Sequence, residues 1–205
     1  MSETPFRTQP KQKRGVQRVE AILNAASTIF AEVGYEQATM IEIAARADTS
    51  VGSLYQFFSN KEAIIRALVD RYVEKASVVF TGIEVESFPG MSMEQVVKAI
   101  LVPLKAFIRD NQDFQVIFSS ATGSSYVAEA IRQMDDNFQA RVDAALAIGR
   151  PHLSAKERRK YCLVCMVVMK ALLAFAPQTD ELTLDEIFEE IEAIYIRYLT
   201  PTMGA

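Results

Sequence analysis

Apolar residues recur with the period of an α-helix along most of the chain. Between Gln17 and Val33 they stand three and four positions apart, and Gly34 then supplies a stop signal. A longer run with the same spacing extends from Ser59 towards Phe80. No stretch alternates apolar and polar residues as a half-buried strand would, so the sequence predicts an all-α fold.

A recurring capping signal marks the predicted helix starts. In this signal a Ser or Thr is followed three residues later by Glu or Gln, and each side chain caps the backbone amide of the other. It precedes an apolar run at Thr39/Glu42, Ser59/Glu62, Ser92/Gln95, Ser154/Glu157 and Thr183/Glu186. With these starts the chain is predicted to form about nine helices. Beyond the first run they are a short helix from Thr39, a helix around Val51 to Phe58, and the ranges Ser59–Phe80, Ser92–Asp110, Asn111–Ser120, Ser124–Ile148, Ser154–Ala176 and Thr183–Leu199.

One segment, "TGIEVESFPGMS" at residues 81–92, interrupts the helical pattern with two glycines and a proline. These residues favour turns and end helices. The segment therefore predicts a junction between two helical regions.

The stretch "TSVGSLYQFFSNKE", residues 49–62, combines an apolar side with an unusual polar side. On a helix, Leu54 and Phe58 point one way, while Gly52 and Gln56 point the opposite way. A glycine inside a helix costs about 1 kcal/mol against alanine, and no charged side chain on this helix promotes solubility. A partner that approaches the glycine closely would explain this surface.

The major groove of DNA fits the polar side of this helix. Gln56 can pair with an adenine edge, Ser53 can hydrogen-bond several bases, and Tyr55 can reach a phosphate. An ordinary helix-turn-helix used only for packing is the alternative.

Charge is distributed unevenly along the chain. The net charge of −4 argues against a protein that coats nucleic acid through bulk positive charge. Residues 7–18 nevertheless carry basic residues and no acidic one, whereas residues 180–192 carry acidic residues and no basic one. Because the predicted DNA-reading helix carries no base, we expect this basic arm, with Arg14 and Arg18 in particular, to supply nonspecific affinity. A solvated tail is the simpler alternative.

Residues 39–62, "TMIEIAARADTSVGSLYQFFSNKE", resemble the helix-turn-helix of the TetR family of transcriptional regulators. The matching elements are the capping Thr39, "IAARA" ending at Ala47, Ser50, "GSLYQFF" and Lys61. The turn departs from the family pattern at Asp48, where glycine is usual. Aspartate tolerates a left-handed turn, but its charge is unfavourable near phosphates.

The resemblance implies a DNA-binding regulator, most often a repressor released from a palindromic operator by a small ligand. It implies phosphate contacts by Thr39, Tyr55 and Lys61, and a base-facing set of Ser50, Val51, Gly52, Ser53 and Gln56. The predicted domains are a basic N-terminal arm at residues 1–16, a helix-turn-helix domain at 17–60, and a helical sensor and dimerisation domain at 61–205.

Pairing of two copies is expected because one short recognition helix reads only a few base pairs. The last predicted helix has an apolar stripe, and the one before it is apolar almost all round, which predicts burial on both sides. The resemblance implies that these helices form a four-helix interface in a homodimer. The candidate interface residues are Tyr161, Val168, Leu172, Ile187, Ile191 and Tyr195. A monomer whose helices close only its own core is the alternative.

The region from Ser92 to Ile148 is the predicted sensor. Pro103 removes a backbone hydrogen bond to Ala99 and should bend its helix, which leaves space beside it. Aromatic and methionine side chains nearby predict an apolar, adaptable pocket for an apolar or aromatic effector. The candidates are Phe107, Phe114, Phe118, Met134, Phe138, Met166 and Met169, for each of which a plain core role is the alternative.

Cys162 and Cys165 form a CxxC pair inside an apolar helical pattern. With His152 as the single histidine, a zinc set of sulfur and imidazole cannot be completed, so we expect no metal and two packed core thiols. A DNA-binding redox switch that uses the two thiols is the alternative.

No arrangement of residues indicates catalysis. The chain lacks a Ser/His/Asp order, a glycine-rich phosphate loop and paired carboxylates in an apolar setting, so we expect neither an enzyme nor a cofactor. No secretory signal opens the sequence, and no uncharged apolar run reaches the length of a membrane span. The expected protein is cytoplasmic and has no membrane partner.

Overall fold

The computed structural model describes residues 6, 13–111, 113–114, 125–175 and 181–200. Within them the chain forms eight α-helices and no strand, which confirms the all-α prediction. The helices are α1 Lys13–Gln37, α2 Met40–Arg46, α3 Val51–Phe57, α4 Lys61–Thr81, α5 Met93–Asp110, α6 Ser125–Gly149, α7 Ala155–Phe175 and α8 Leu184–Leu199. Most of the predicted helix at 111–120 lies outside the described residues.

The first helix begins earlier than its apolar pattern indicated. It starts at Lys13, and the added residues before Gln17 do not extend the buried side, since Val16 is exposed. Gly34 breaks it at the predicted stop, with a φ of 81° that L-amino acids with a side chain rarely adopt. Arg14 and Arg18 therefore lie one helical turn apart on α1.

Four of the five predicted capping boxes are present, at Thr39, Ser92, Ser154 and Thr183. The prediction at Ser59 is wrong. The helix α4 starts at Lys61, and the Asn60 side chain accepts a hydrogen bond from the Ala63 amide at 2.8 Å. The chain enters this helix one residue later than predicted, and asparagine caps as well as serine does.

The described residues fall into two compact units. The first comprises Met1–Lys75 with Gln112–Ile131, and the second comprises Ala76–Asn111 with Arg132–Ala205. The predicted domain boundaries at residues 16 and 60 stay predictions.

Tyr72 connects several parts of the first unit. Its hydroxyl lies 3.3 Å from the Ser27 hydroxyl on α1 and donates to the carboxylate of Asp113. Its ring packs edge-on against Phe114 at 5.6 Å. Burial, reinforced by the Asp113 carboxylate, raises the pKa of Tyr72 to about 12. The phenol therefore stays protonated at physiological pH and holds α4 against α1.

In the second unit, α8 packs against both α5 and α7. The α5 helix continues through Pro103, and Lys105 on it pairs with Asp185 at 2.9 Å. Residues 81–92 separate α4 from α5, as predicted, through a 3₁₀ turn at Val85–Ser87. The segment is more than a linker, because Val85 and Phe88 are buried.

The two cysteines are packed core thiols, as predicted. Both are buried on α7 and neither is in a disulfide. Burial raises the pKa of Cys162 to about 11 and that of Cys165 to about 12. Both sulfurs are therefore protonated near neutral pH, which makes them poor nucleophiles.

Within the described part of the chain, no helix combines the length and the apolar character that crossing a membrane requires.

Replacement of Asn60 by alanine should destabilise the protein by about 1 kcal/mol, because the Ala63 amide loses its cap. Ser59→Ala is the matched control. It should leave the free energy of unfolding within about 0.5 kcal/mol of wild type. Urea denaturation of the two variants measures the difference, and an equal loss in both would show that Ser59 also caps the helix.

Candidate nucleic-acid interface

Two short helices and a tight turn form the candidate reading head. Ile43 and Ala44 of α2 and Leu54 and Phe57 of α3 are buried, so each helix turns one side inward. In the turn, the Thr49 amide donates to the Ala44 carbonyl at 3.0 Å. This arrangement fixes the direction in which α3 leaves the turn.

Asp48 takes the left-handed conformation that the turn requires. Its φ is 48°, and it is the one described residue other than glycine with a positive φ. Few L-amino acids tolerate this region, and aspartate is one of them. The expectation that the departure from glycine leaves the turn intact is confirmed. The carboxylate of Asp48 is exposed.

The outward side of α3 matches the predicted polar side. Gly52, Tyr55 and Gln56 are exposed, and Val51 and Ser53 are half-buried. A Cβ atom added at Gly52 would meet nothing within 4 Å. Packing within the described chain therefore does not require a glycine at this position.

The start of α3 is held by serine side chains. Ser50 caps the helix, since its Oγ accepts from the Ser53 amide at 3.1 Å. The Ser53 Oγ accepts in turn from Nη1 of Arg18 on α1, at 3.2 Å. Arg14 and Arg18 are both exposed. The sequence pattern gave no signal for the bond between Arg18 and Ser53, because it joins residues on two different helices.

Thr39 and Lys61 already have bonds within the chain. The Thr39 hydroxyl donates to Oε2 of Glu42 at 2.8 Å. The Lys61 ammonium donates to the carbonyls of Glu36 at 2.9 Å and Ala38 at 3.0 Å. Lys61 thus closes the C-terminal end of α1, where carbonyls lack helical partners. Contacts of Thr39 and Lys61 with phosphate stay predictions.

One of the candidate sensor residues lines the apolar cavity that the structure describes. The second unit has an apolar cavity of about 30 Å³, and of the candidates Phe138 lines it. Phe107, Met166 and Met169 are buried in the core but do not line this cavity. Phe114 lies in the first unit, and Phe118 lies outside the described residues. Met134 is half-buried.

Sequence reasoning missed most of the cavity wall. It consists of aliphatic residues of α5 and α6 together with groups from α7 and α8, among them Val97, Leu101, Leu146, Cys165 and Tyr195. Aliphatic residues at helical spacing fill every core, so the sequence has no signal that separates these from their neighbours.

Three of the candidate interface residues face the chain's own core. Ile187, Ile191 and Tyr195 are buried, and the Tyr195 hydroxyl donates to the Cys165 carbonyl. Their assignment to a dimer interface stays a prediction, and other members of the α8 stripe, such as Ile194 and Tyr198, are half-buried. Tyr161, Val168 and Leu172 on α7 are half-buried.

Four of the large apolar residues that stay exposed lie on α7. Val167 is 61% exposed. The remaining large members of this α7 face are Leu163, Val164 and Phe175. The prediction that α7 is buried on both sides is therefore not met within one copy of the chain.

Two family models match the chain. The model for bacterial regulatory proteins of the tetR family matches residues 22–68, which include α2 and α3. The model for the tetracyclin repressor-like C-terminal domain matches residues 92–199. With the geometry of α2 and α3, these matches define a bacterial helix-turn-helix regulator. The chain belongs to the TetR family.

Individual relatives are similar over part of their length. The A-factor receptor protein of Streptomyces griseus is 45% identical over 60 residues, which are 29% of this chain and 22% of that protein. The HTH-type transcriptional activator FasR of Mycolicibacterium smegmatis is 33% identical over 109 residues, 53% of this chain and 47% of that protein. The chain thus spans less than half of each of these curated relatives.

Solved structures resemble the whole fold. A TetR-like transcriptional regulator from Rhodococcus sp. RHA1 has a TM-score of 0.71 at 17% identity, over 89% of this chain and 96% of that one. FadR from Bacillus subtilis, in complex with stearoyl-CoA, has a TM-score of 0.68 at 15% identity, over 86% of this chain and 97% of that one. Such identities establish the fold alone.

The relatives and structural neighbours are transcriptional regulators rather than enzymes. The chain is therefore a DNA-binding transcriptional regulator, and the expectation that it is not an enzyme is confirmed.

Replacement of Asp48 by asparagine should raise DNA affinity about twofold to fivefold at low salt, because it removes a negative charge beside the predicted phosphate contacts. The gain should fade as salt increases. Asp48→Ala is the control for the backbone. It removes the same charge but should lose about 1 kcal/mol of stability in the left-handed conformation. Fluorescence anisotropy with duplex DNA measures affinity, and an Asn variant equal to wild type at low salt would place Asp48 away from the phosphates.

Proposed function

We propose that this regulator is a repressor that binds a two-fold-symmetric operator as a homodimer and leaves it when a small apolar or aromatic ligand binds. The observation that carries the proposal is the outward side of α3. There Gly52, Tyr55 and Gln56 are exposed on a helix without a charged side chain. A close approach of α3 to the edge of a base pair would account for the glycine at position 52.

The base contacts follow from the positions on α3. Gln56 offers both an acceptor and a donor, which match the edge of adenine in the major groove. Ser50, Val51, Gly52 and Ser53 belong to the same turn of the helix and complete the base-facing set. Tyr55 is exposed beside them, with its hydroxyl free to reach a phosphate.

The positive charge for nonspecific affinity comes from α1. Because α3 carries no base, we assign the neutralisation of nearby phosphates to Arg14 and Arg18, which are both exposed. Arg18 lies directly at α3 through its bond to Ser53. The affinity should therefore fall steeply as salt increases.

The homodimer would use the exposed apolar side of α7. Two recognition helices on a two-fold-related site multiply the specificity of one. The face of Leu163, Val164, Val167 and Phe175 lies on one side of the helix, and these residues are exposed in the described part of the chain. Pairing with the same face of a second copy would remove it from water.

The ligand would enter the second unit near the described cavity. The volume of this cavity is about 30 Å³, far smaller than the roughly 300 Å³ that a pocket for a small-molecule effector needs. The helices around the cavity must therefore separate before a ligand can bind. A ligand that favours the separated form weakens DNA binding by linkage if that form misplaces the recognition helices. Because the structural neighbour FadR was solved with stearoyl-CoA, long-chain acyl thioesters are the first compounds to test.

The redox alternative has less support. The thiols of Cys162 and Cys165 are buried and protonated, for the reasons given above. Peroxide should therefore leave DNA affinity unchanged.

Footprinting on the DNA that flanks the protein's own gene, at two salt concentrations, tests the proposal. A protected palindromic site, lost at high salt and released by an apolar compound, is expected. Gly52→Ala should raise the stability of the free protein by up to about 1 kcal/mol. The same variant should lose at least about tenfold in operator affinity, because the added methyl group meets the base edges. Unchanged affinity in this more stable variant would argue against a groove-facing α3.

Replacement of Val167 by glutamate should disrupt the dimer, raising its dissociation constant on the order of 100-fold or more, because a charge would have to be buried. Val102→Glu on α5 is the matched control, since Val102 is 62% exposed against 61% for Val167. Analytical ultracentrifugation should find a monomer for the first variant and a dimer for the second. A dimer in both would place the interface elsewhere.

A further inference from the structure

Arg18 touches the recognition helix directly. Its Nη1 donates to the Ser53 Oγ at 3.2 Å, across from α1 to α3. Both ends of this bond can be reached by a ligand, because Arg18 is exposed and Ser53 is half-buried. No carboxylate among the described residues lies within ion-pair distance of Arg18. The guanidinium therefore has most of its N–H groups for another partner.

The bond sets the hydrogen-bonding role of Ser53. A guanidinium has only donors, so the Ser53 oxygen must accept. The amide of Ser53 is already capped by Ser50. No acceptor in the described part of the chain takes the hydroxyl proton of Ser53, which leaves this proton for an external group. Arg18 thus makes Ser53 a donor towards whatever α3 approaches.

We propose that Arg18 and Ser53 act as one base-reading unit whose N–H and O–H donors select guanine. This inference depends on the proposed function, in which α3 lies in the major groove. Guanine is the base whose major-groove edge has two acceptors, O6 and N7, and arginine is its commonest partner. The cytosine edge offers a donor, which the Arg18 guanidinium cannot pair with and for which Ser53 has one remaining lone pair. Arg18 is then a specificity residue as well as a source of charge.

Arg14 provides a matched comparison. It lies one turn before Arg18 on the same side of α1, is equally exposed, and has no bond to α3. A cation that contacts only phosphate lowers affinity for all sequences alike when it is removed, and it reduces the salt slope by about 0.9. Arg14→Ala should behave in this way. Arg18→Ala should instead change which sequences bind.

The test is selection from a random-sequence duplex DNA library with full-length wild type, Arg14→Ala, Arg18→Ala, Ser53→Ala and the Arg18/Ser53 double variant. Wild type should select a guanine at one position of each half-site. Ser53→Ala and Arg18→Ala should relax the same position, with roughly a 10-fold to 100-fold loss of discrimination against cytosine. The double variant should lose little more than either single variant, because the two side chains act together. Thermal melting confirms that each variant is folded.

The outcomes separate this inference from the proposed function. If wild type selects a site and Arg18→Ala retains the same base preferences at lower affinity, Arg18 contacts only phosphate and the inference is overturned. A selected base other than guanine at the position that Ser53→Ala relaxes would also overturn it. If wild type selects no sequence at all, the proposed function fails first, and this inference fails with it.

Discussion

A helix of seven residues is too short to be stable by itself in water, and the reading head depends on such a helix. What holds α3 is the burial of Leu54 and Phe58, supported by the Ser50 cap at its start. Once that side is fixed inward, the opposite side must face solvent or a partner. Because the apolar side of α3 is buried, its opposite side must be the exposed one. Gly52 lies on this exposed side and therefore has no part in the packing of α3.

The division of labour between helices follows from this constraint. A short helix with one buried side has few positions left, and here they are occupied by small or neutral side chains. The cations that a DNA-binding surface needs must then come from a neighbour, and in the proposed function they are Arg14 and Arg18 of α1, which are both exposed. The bond from Arg18 to Ser53 joins the two sources of recognition into one surface. Both helices belong to the first compact unit.

Local features of the fold could be predicted from the sequence, whereas features that depend on packing partners could not. The capping box at Thr39 and the left-handed turn at Asp48 involve residues a few positions apart, so their chemistry is visible in the sequence. Even among local features, the spacing rule predicted Ser59 as the cap of α4, whereas the cap is the adjacent Asn60. The apolar stripe of α8 was correctly read as buried, but a stripe does not specify its partner. Ile191 packs inside the protomer, and the uncovered face belongs to α7. Cavity walls are harder still, because a void is defined by atoms from four helices at once.

The turn at Asp48 shows that what a helix-turn-helix demands at this position is an angle and not a particular amino acid. Glycine meets the demand because it has no side chain to clash, and aspartate meets it because its short polar side chain tolerates the same region. A sequence motif that requires glycine at this position would exclude this chain. A criterion based on the backbone conformation of the turn would include it. Asparagine, aspartate and glycine in the turn thus allow the same backbone conformation, although chains that carry them differ in the charge they present to DNA.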